Sequence, residues 1–208
     1  VIPLGINPTH LHELNEENIN VIKKKFKYKK TLLFVGRLCY YKGIEYLLNA
    51  MTDIDANLVV IGNGELKDAL IKKCKELCLE EKVHFMGFCD QGELNAWYKH
   101  CDLFVLPSIE ASEAFGLVQV EAMLSGKPVV NTNLPTGVPY VSIDGVTGLT
   151  VQPKNTKALV DAVNIIINNE EEMKRLSDNA LSRAMNLFTI DKMLDSYSKL
   201  YERMLVKS

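Results

Sequence analysis

Four residues have the type and spacing to do chemistry on a charged, hydroxylated ligand. Arg37 and Lys42 lie in Gly36-Arg37-Leu38-Cys39-Tyr40-Tyr41-Lys42-Gly43, directly after an apolar run. A forked guanidinium and a point ammonium together suit a diphosphate. Glu113 and Glu121 lie in Pro107-Ser108-Ile109-Glu110-Ala111-Ser112-Glu113-Ala114-Phe115-Gly116-Leu117-Val118-Gln119-Val120-Glu121. Gly116 opens a helical stretch, and the free N–H groups of a helix start favour an anion. Glu121 stands among Val118, Val120, Ala122 and Met123, and a carboxylate in that setting needs a hydrogen-bond partner. A vicinal ribose diol is one such partner. Taken singly, the cations also fit a solvated surface, and each glutamate fits a paired, partly buried structural carboxylate.

The elements around these residues give them a common place. Continuous apolar runs at Thr31–Val35, Asn57–Ile61, Val83–Phe85, Asp102–Leu106 and Pro128–Asn131 alternate with helical stretches at 43–51, 65–79, 94–98 and 116–124. A looser segment carrying Gly137, Pro139, Gly145 and Gly148 leads to Leu149–Val151, and helices are expected at 156–168, 170–187 and 190–206. Strands without polar alternation are buried on both faces, as in a parallel sheet between two helix layers. With right-handed crossovers this is a Rossmann-like, doubly wound α/β domain of about six parallel strands. Ligands of such sheets bind outside the carboxyl ends of the strands. Both loops carrying the four residues end there.

Composition narrows the partners. The chain has 208 residues and a net charge of −2, so no global basic field draws nucleic acid. The runs Lys23–Lys30 and Glu170–Glu172 read as solvated faces. No stretch of about 18 apolar residues could span a membrane. Five cysteines (Cys39, Cys74, Cys78, Cys89 and Cys101) form no C-x-x-C pair, and read as buried free thiols in a reducing cytoplasm rather than a zinc site. His10 and His12 sit in a polar loop and read as solvated. Residues 16–26 form a polar stretch of expected helix. Gly62-Asn63-Gly64 lacks the third glycine of the dinucleotide fingerprint and alone is a strand-to-helix turn; no G-x-x-x-x-G-K-[ST] phosphate loop is present.

In register, the pieces match a family. Glu113 and Glu121 with seven residues between them, followed by Glu121-Ala122-Met123 and Gly126-Lys127-Pro128-Val129-Val130, resemble the E-x7-E signature of retaining family 4 glycosyltransferases. Phe34-Val35-Gly36-Arg37…Lys42-Gly43 resembles their G-R…K-G loop. Val60-Ile61-Gly62-Asn63-Gly64, Val83…Gly87-Phe88 and Asp144-Gly145-Val146-Thr147-Gly148-Leu149 fall where that family has corresponding elements. Ala114 stands where a glycine is common, and Tyr41 where a polar residue is common.

The resemblance implies one domain of a two-domain GT-B architecture. Residues 1–30 would be an interdomain linker and leading segment, 31–187 the Rossmann-like nucleotide-sugar-binding domain, and 188–208 a helix packing back toward an N-terminal acceptor domain. The Val1–Asn7 opening resembles the start of such second domains, so that N-terminal half is expected to precede it. By carry-over, Arg37 and Lys42 bind the donor diphosphate, Glu113 the transferred sugar and Glu121 the ribose. Gly36, Ala114, Phe115, Gly116 and Leu117 approach sugar and phosphate, and Gly62, Asn63 and Phe88 line the nucleoside end. No metal or cofactor is required. The donor is a UDP-sugar, with N-acetylhexosamine first, and the acceptor a glycan or polyprenyl-diphosphate-linked chain. The Thr136–Thr150 stretch looks like that of enzymes of bacterial O-antigen and lipopolysaccharide biosynthesis. The expected location is cytoplasmic, on the inner face of the membrane. The alternatives are a non-catalytic nucleotide-sugar-binding module, or an epimerase or phosphorylase on the same fold.

Overall fold

The structure, a computed structural model, describes residues 2–12, 17, 20, 24, 26, 28 and 30–205. The helix expected over 16–26 lies largely outside the described residues. Six strands, β1 (Thr31–Val35), β2 (Asn57–Ile61), β3 (Val83–Gly87), β4 (Leu103–Leu106), β5 (Val129–Thr132) and β6 (Gly148–Val151), form one sheet in the order β3-β2-β1-β4-β5-β6. Every pairing is parallel. The helices between and after them are α1 (Ile44–Ala50), α2 (Lys67–Glu76), α3 (Gln91–His100), α4 (Leu117–Leu124), α5 (Val138–Val141), α6 (Thr156–Ile167), α7 (Glu170–Leu187) and α8 (Ile190–Leu205).

The unbroken apolar character of β1 and β2 has a direct cause. Both are buried at every position, and their side chains alternate between two cores. Leu32, Phe34, Leu58 and Val60 join α1, α2 and α6 on one face. Leu33, Val35, Val59 and Ile61 join α3, α4 and α7 on the other. The edge strands β3 and β6 are half-exposed in their middles, as one-sided pairing requires.

Most element ends shift by a few residues from the sequence reading, and some differences have a structural consequence. The second helix stops at Glu76, short of Leu79, and Cys78 takes a left-handed backbone at φ 56. Cys78 is therefore exposed beyond the helix end and Cys89 is half-buried, whereas Cys39, Cys74 and Cys101 are buried thiols. The segment expected to be irregular contains the short α5, started by Pro139 in its first turn. At the front of the chain, a 3-10 turn at Pro8–His12 lies against α3 and α4. Ile6 is bridged to Thr189, its N–H donating to Phe188 O at 2.8 Å. Leading segment and tail thus meet at one point.

Strand order reverses between β1 and β4, so their following loops diverge to opposite sides and leave a crevice. The two loops are nonetheless tied at its floor. Ile109 N–H donates to Tyr41 O at 2.8 Å. Gly43 has φ +65, and a Cβ there would drive into Pro107 O. Gly126 has a similar φ, +71, but open space around it. Gly126→Ala should therefore cost only the left-handed penalty of about 1–2 kcal/mol. Gly43→Ala should cost clearly more, because loop must separate from loop. Urea unfolding of both variants checks this, and equal losses would mean the two loops are not in contact.

Candidate active site

The loop after β1 turns through Gly36 and a 3-10 turn at Tyr40–Lys42. This brings Lys42 into the crevice, where its Nζ lies 2.5 Å from Glu113 Oε2. Both side chains are 9% exposed. Ser108 Oγ donates to the same oxygen at 2.9 Å. Ser108 is itself held at the end of β4, its carbonyl accepting from Thr132 Oγ1. Among the described residues, Glu113 is thus anchored through Oε2 by a cation and a hydroxyl.

Arg37 sits differently. Its Nη2 pairs with Glu65 Oε2 at 3.2 Å, on side chains 71% and 54% exposed. The two cations expected on a diphosphate each have their own carboxylate: Lys42 has Glu113, and Arg37 has Glu65. Glu65 opens the turn after β2 and was not singled out in the sequence.

Gly116, φ +71, starts α4. Its position is fixed by Gln119, whose Nε2 donates to Phe115 O at 2.8 Å and to Val138 O at 3.2 Å. Phe115 packs edge-on against buried Phe188 at 5.9 Å. Ala114 O accepts from Gly137 N at 2.8 Å. Ala114 and Leu117 are exposed beside the helix start. Glu121, one turn on, accepts Tyr98 Oη at 2.7 Å through Oε2. The partner inferred from sequence for this carboxylate was a ribose diol, and the protein itself supplies another. Burial raises the pKa of Glu121 above the ordinary carboxylate range, and the Tyr98 hydrogen bond works against that rise.

The remaining candidates border the same sheet edge. Gly62 N–H donates to Gly87 O at 2.7 Å, and Leu38 N–H to Asn63 O at 2.9 Å, so the loops after β1, β2 and β3 are bonded in series. Asn63 Oδ1 accepts from Lys67 Nζ at 3.1 Å. Phe88 is 85% exposed at the far end. The expected residues therefore share one edge, but contact is closest only for Lys42 and Glu113. Ser108 and Tyr98 were missed. Ser108 could have been noticed as a hydroxyl immediately beyond a strand end. Tyr98 lies on another helix and carried no sequence signal.

Among the described residues, no group of three or more His, Cys, Asp or Glu side chains could hold a metal ion. No helix of the described residues is long and apolar enough to cross a membrane.

A parallel sheet with helices on both faces, and an ion pair where its strand order reverses, defines a Rossmann-like, doubly wound α/β domain. Residues 15–183 match the family model for glycosyl transferases group 1. The chain belongs to that family. It is 31% identical over 206 residues to O-antigen chain mannosyltransferase C of Escherichia coli, covering 99% of this chain and 54% of that protein. It superposes on sucrose-phosphate synthase of Thermosynechococcus elongatus with a TM-score of 0.86 at 27% identity, over 100% of this chain and 53% of that one. A crystal structure of HepE from Anabaena in complex with UDP gives 0.84 at 23% identity, over 96% of this chain and 56% of that one. The chain spans about half the length of the curated relatives it matches. The fold class read from the sequence is the one observed.

Two stability predictions follow from the burial contrast. Removing one partner of a buried ion pair costs about 3–5 kcal/mol, whereas an exposed pair is worth about 0–1 kcal/mol. Lys42→Ala and Glu113→Ala should each lower urea stability severely, and Arg37→Ala and Glu65→Ala hardly at all. Equal effects would contradict the burial contrast. Glu121→Gln keeps an acceptor for Tyr98 while removing a buried charge. The folded-state pKa of Glu121 is raised, so its charge costs stability above that pKa and nothing below the unfolded value. Glu121→Gln should raise Tm at neutral pH, with the gain fading as pH falls through that interval. Thermal scans across pH check the sign.

Proposed function

We propose that this chain is the donor-binding half of a retaining glycosyltransferase. In this reading it holds a nucleoside-diphosphate sugar, UDP-sugars first, in the crevice between the loops after β1 and β4. The glycosyl unit passes to a glycan or polyprenyl-diphosphate-linked acceptor in bacterial surface polysaccharide synthesis, in the cytoplasm at the inner face of the membrane. The observation that carries the reading is the buried Lys42–Glu113 pair at the switch point. A desolvated cation and carboxylate there, one oxygen of the carboxylate still open, are costly for stability alone. They suit a ligand with phosphate on one side and hydroxyls on the other.

The roles follow from charge. Lys42 and Arg37 take the diphosphate, joined by the N–H groups at the start of α4. Glu113 takes a hydroxyl of the sugar through Oε1, Glu121 the ribose, and Gly62, Asn63 and Phe88 the nucleoside end. As the bond from the anomeric carbon to the diphosphate breaks, negative charge grows on the leaving group. Cations fixed beside it gain interaction energy at that moment, which lowers the barrier. They fill the part a divalent metal plays elsewhere. The UDP in the HepE structure supports the nucleotide, and the mannosyltransferase relative supports polysaccharide synthesis. The acceptor would meet the donor across a cleft whose other wall is a second domain. α8 fits that arrangement: Leu194, Tyr197, Leu200, Tyr201 and Met204 are exposed at helical spacing, and no residue of the helix is buried.

Calorimetry with UDP, GDP and their sugars, with and without EDTA, tests the donor. UDP should bind in chelator, and Glu113→Ala should weaken the UDP-sugar but hardly UDP. Binding abolished by EDTA would overturn the metal-free reading. A transfer assay on these 208 residues alone should give no turnover, because alignment of the acceptor hydroxyl supplies much of the rate. In a full-length protein, Arg37→Ala and Lys42→Ala should lower turnover more than donor affinity. Full turnover by these residues alone would place the acceptor site within them.

A further inference from the structure

Glu121 is held from beneath by a residue that faces no solvent. Tyr98 is wholly buried on α3, its ring tilted against Phe104 at 6.0 Å. Its hydroxyl donates to Glu121 Oε2 at 2.7 Å. Burial, and then the carboxylate itself, push its pKa well above the usual phenol value, so it stays a donor at any ordinary pH. A phenylalanine would fill the same apolar space without a polar atom to satisfy. The hydroxyl therefore has one evident use, and that is the carboxylate.

The terminal torsion of a glutamate is broad, so an unheld carboxylate samples many orientations. A donor fixed to one oxygen removes that freedom and sets the direction of the other. Among the described residues, Glu121 Oε1 has no hydrogen-bond partner. We propose that Tyr98 is a positioning residue: by pinning Oε2 of Glu121 it aims Oε1 at the ribose diol of the bound nucleotide. Ribose recognition then depends on a side chain that never touches the ligand. This rests on the reading of Glu121 as the ribose ligand.

Tyr98→Phe in this 208-residue chain, titrated calorimetrically with UDP and with 2′,3′-dideoxy-UDP, is the test. GDP and its dideoxy analogue replace them if guanine is the preferred base. Wild type should bind the ribose form more tightly. A hydrogen bond to a charged group is worth about tenfold in affinity, so Tyr98→Phe should lose about tenfold for UDP and leave dideoxy-UDP unchanged. The dideoxy arm also reports that the variant is folded. Equal losses for both ligands would reveal a merely structural role and overturn the proposal. So would a variant that still distinguishes the two ligands as well as wild type does. Wild type that binds neither form, or makes no distinction between them, overturns the ribose assignment of Glu121 and this inference with it.

Discussion

A parallel sheet covered by helices on both faces confines polar chemistry to its ends. In this protein every residue of β1 and β2 is buried, so the only surface the central strands offer to a ligand is the edge where they stop. The reversal of strand order between β1 and β4 then opens that edge at one place. Lys42 and Glu113 meet there, 71 residues apart in sequence and 2.5 Å apart in space. Their pairing depends on the loops after β1 and β4 lying side by side, and those in turn on the order of the strands.

The same pair shows what burial demands of charged groups. A cation and a carboxylate withdrawn from water must satisfy one another, or the fold suffers for it. Each carboxylate of the E-x7-E segment is therefore anchored through one oxygen, Glu113 by Lys42 and Ser108, Glu121 by Tyr98. Anchoring keeps the charges tolerable and limits their motion. In the proposed reading this is electrostatic preorganisation, with the polar groups already oriented before a ligand arrives.

Support for the site loop reaches well beyond the sheet edge. Phe115, between the two glutamates, rests on Phe188. Phe188 also accepts the N–H of Ile6 and is covered by Arg183, whose guanidinium lies 5.5 Å from its ring. The front of the chain, the turn into α8 and the loop after β4 therefore share one aromatic contact.

The sequence by itself determined the fold class and the end of the sheet at which the candidate residues gather. Uninterrupted apolar runs between helical stretches admit little else than a parallel sheet buried on both sides, and glycines after strands 1, 2 and 3 mark where its ligand edge lies. Residue type gave the chemistry of Arg37, Lys42, Glu113 and Glu121, and resemblance put them in order. What the tertiary structure decided is who holds whom. Lys42 takes Glu113, Arg37 takes exposed Glu65, and Glu121 takes Tyr98 from a different helix, although the sequence had grouped the two cations together. Periodicity reports which face of an element is buried, a local property of neighbouring residues. Partnership between side chains 71 or 23 positions apart is set by strand order and helix docking, which no local pattern encodes.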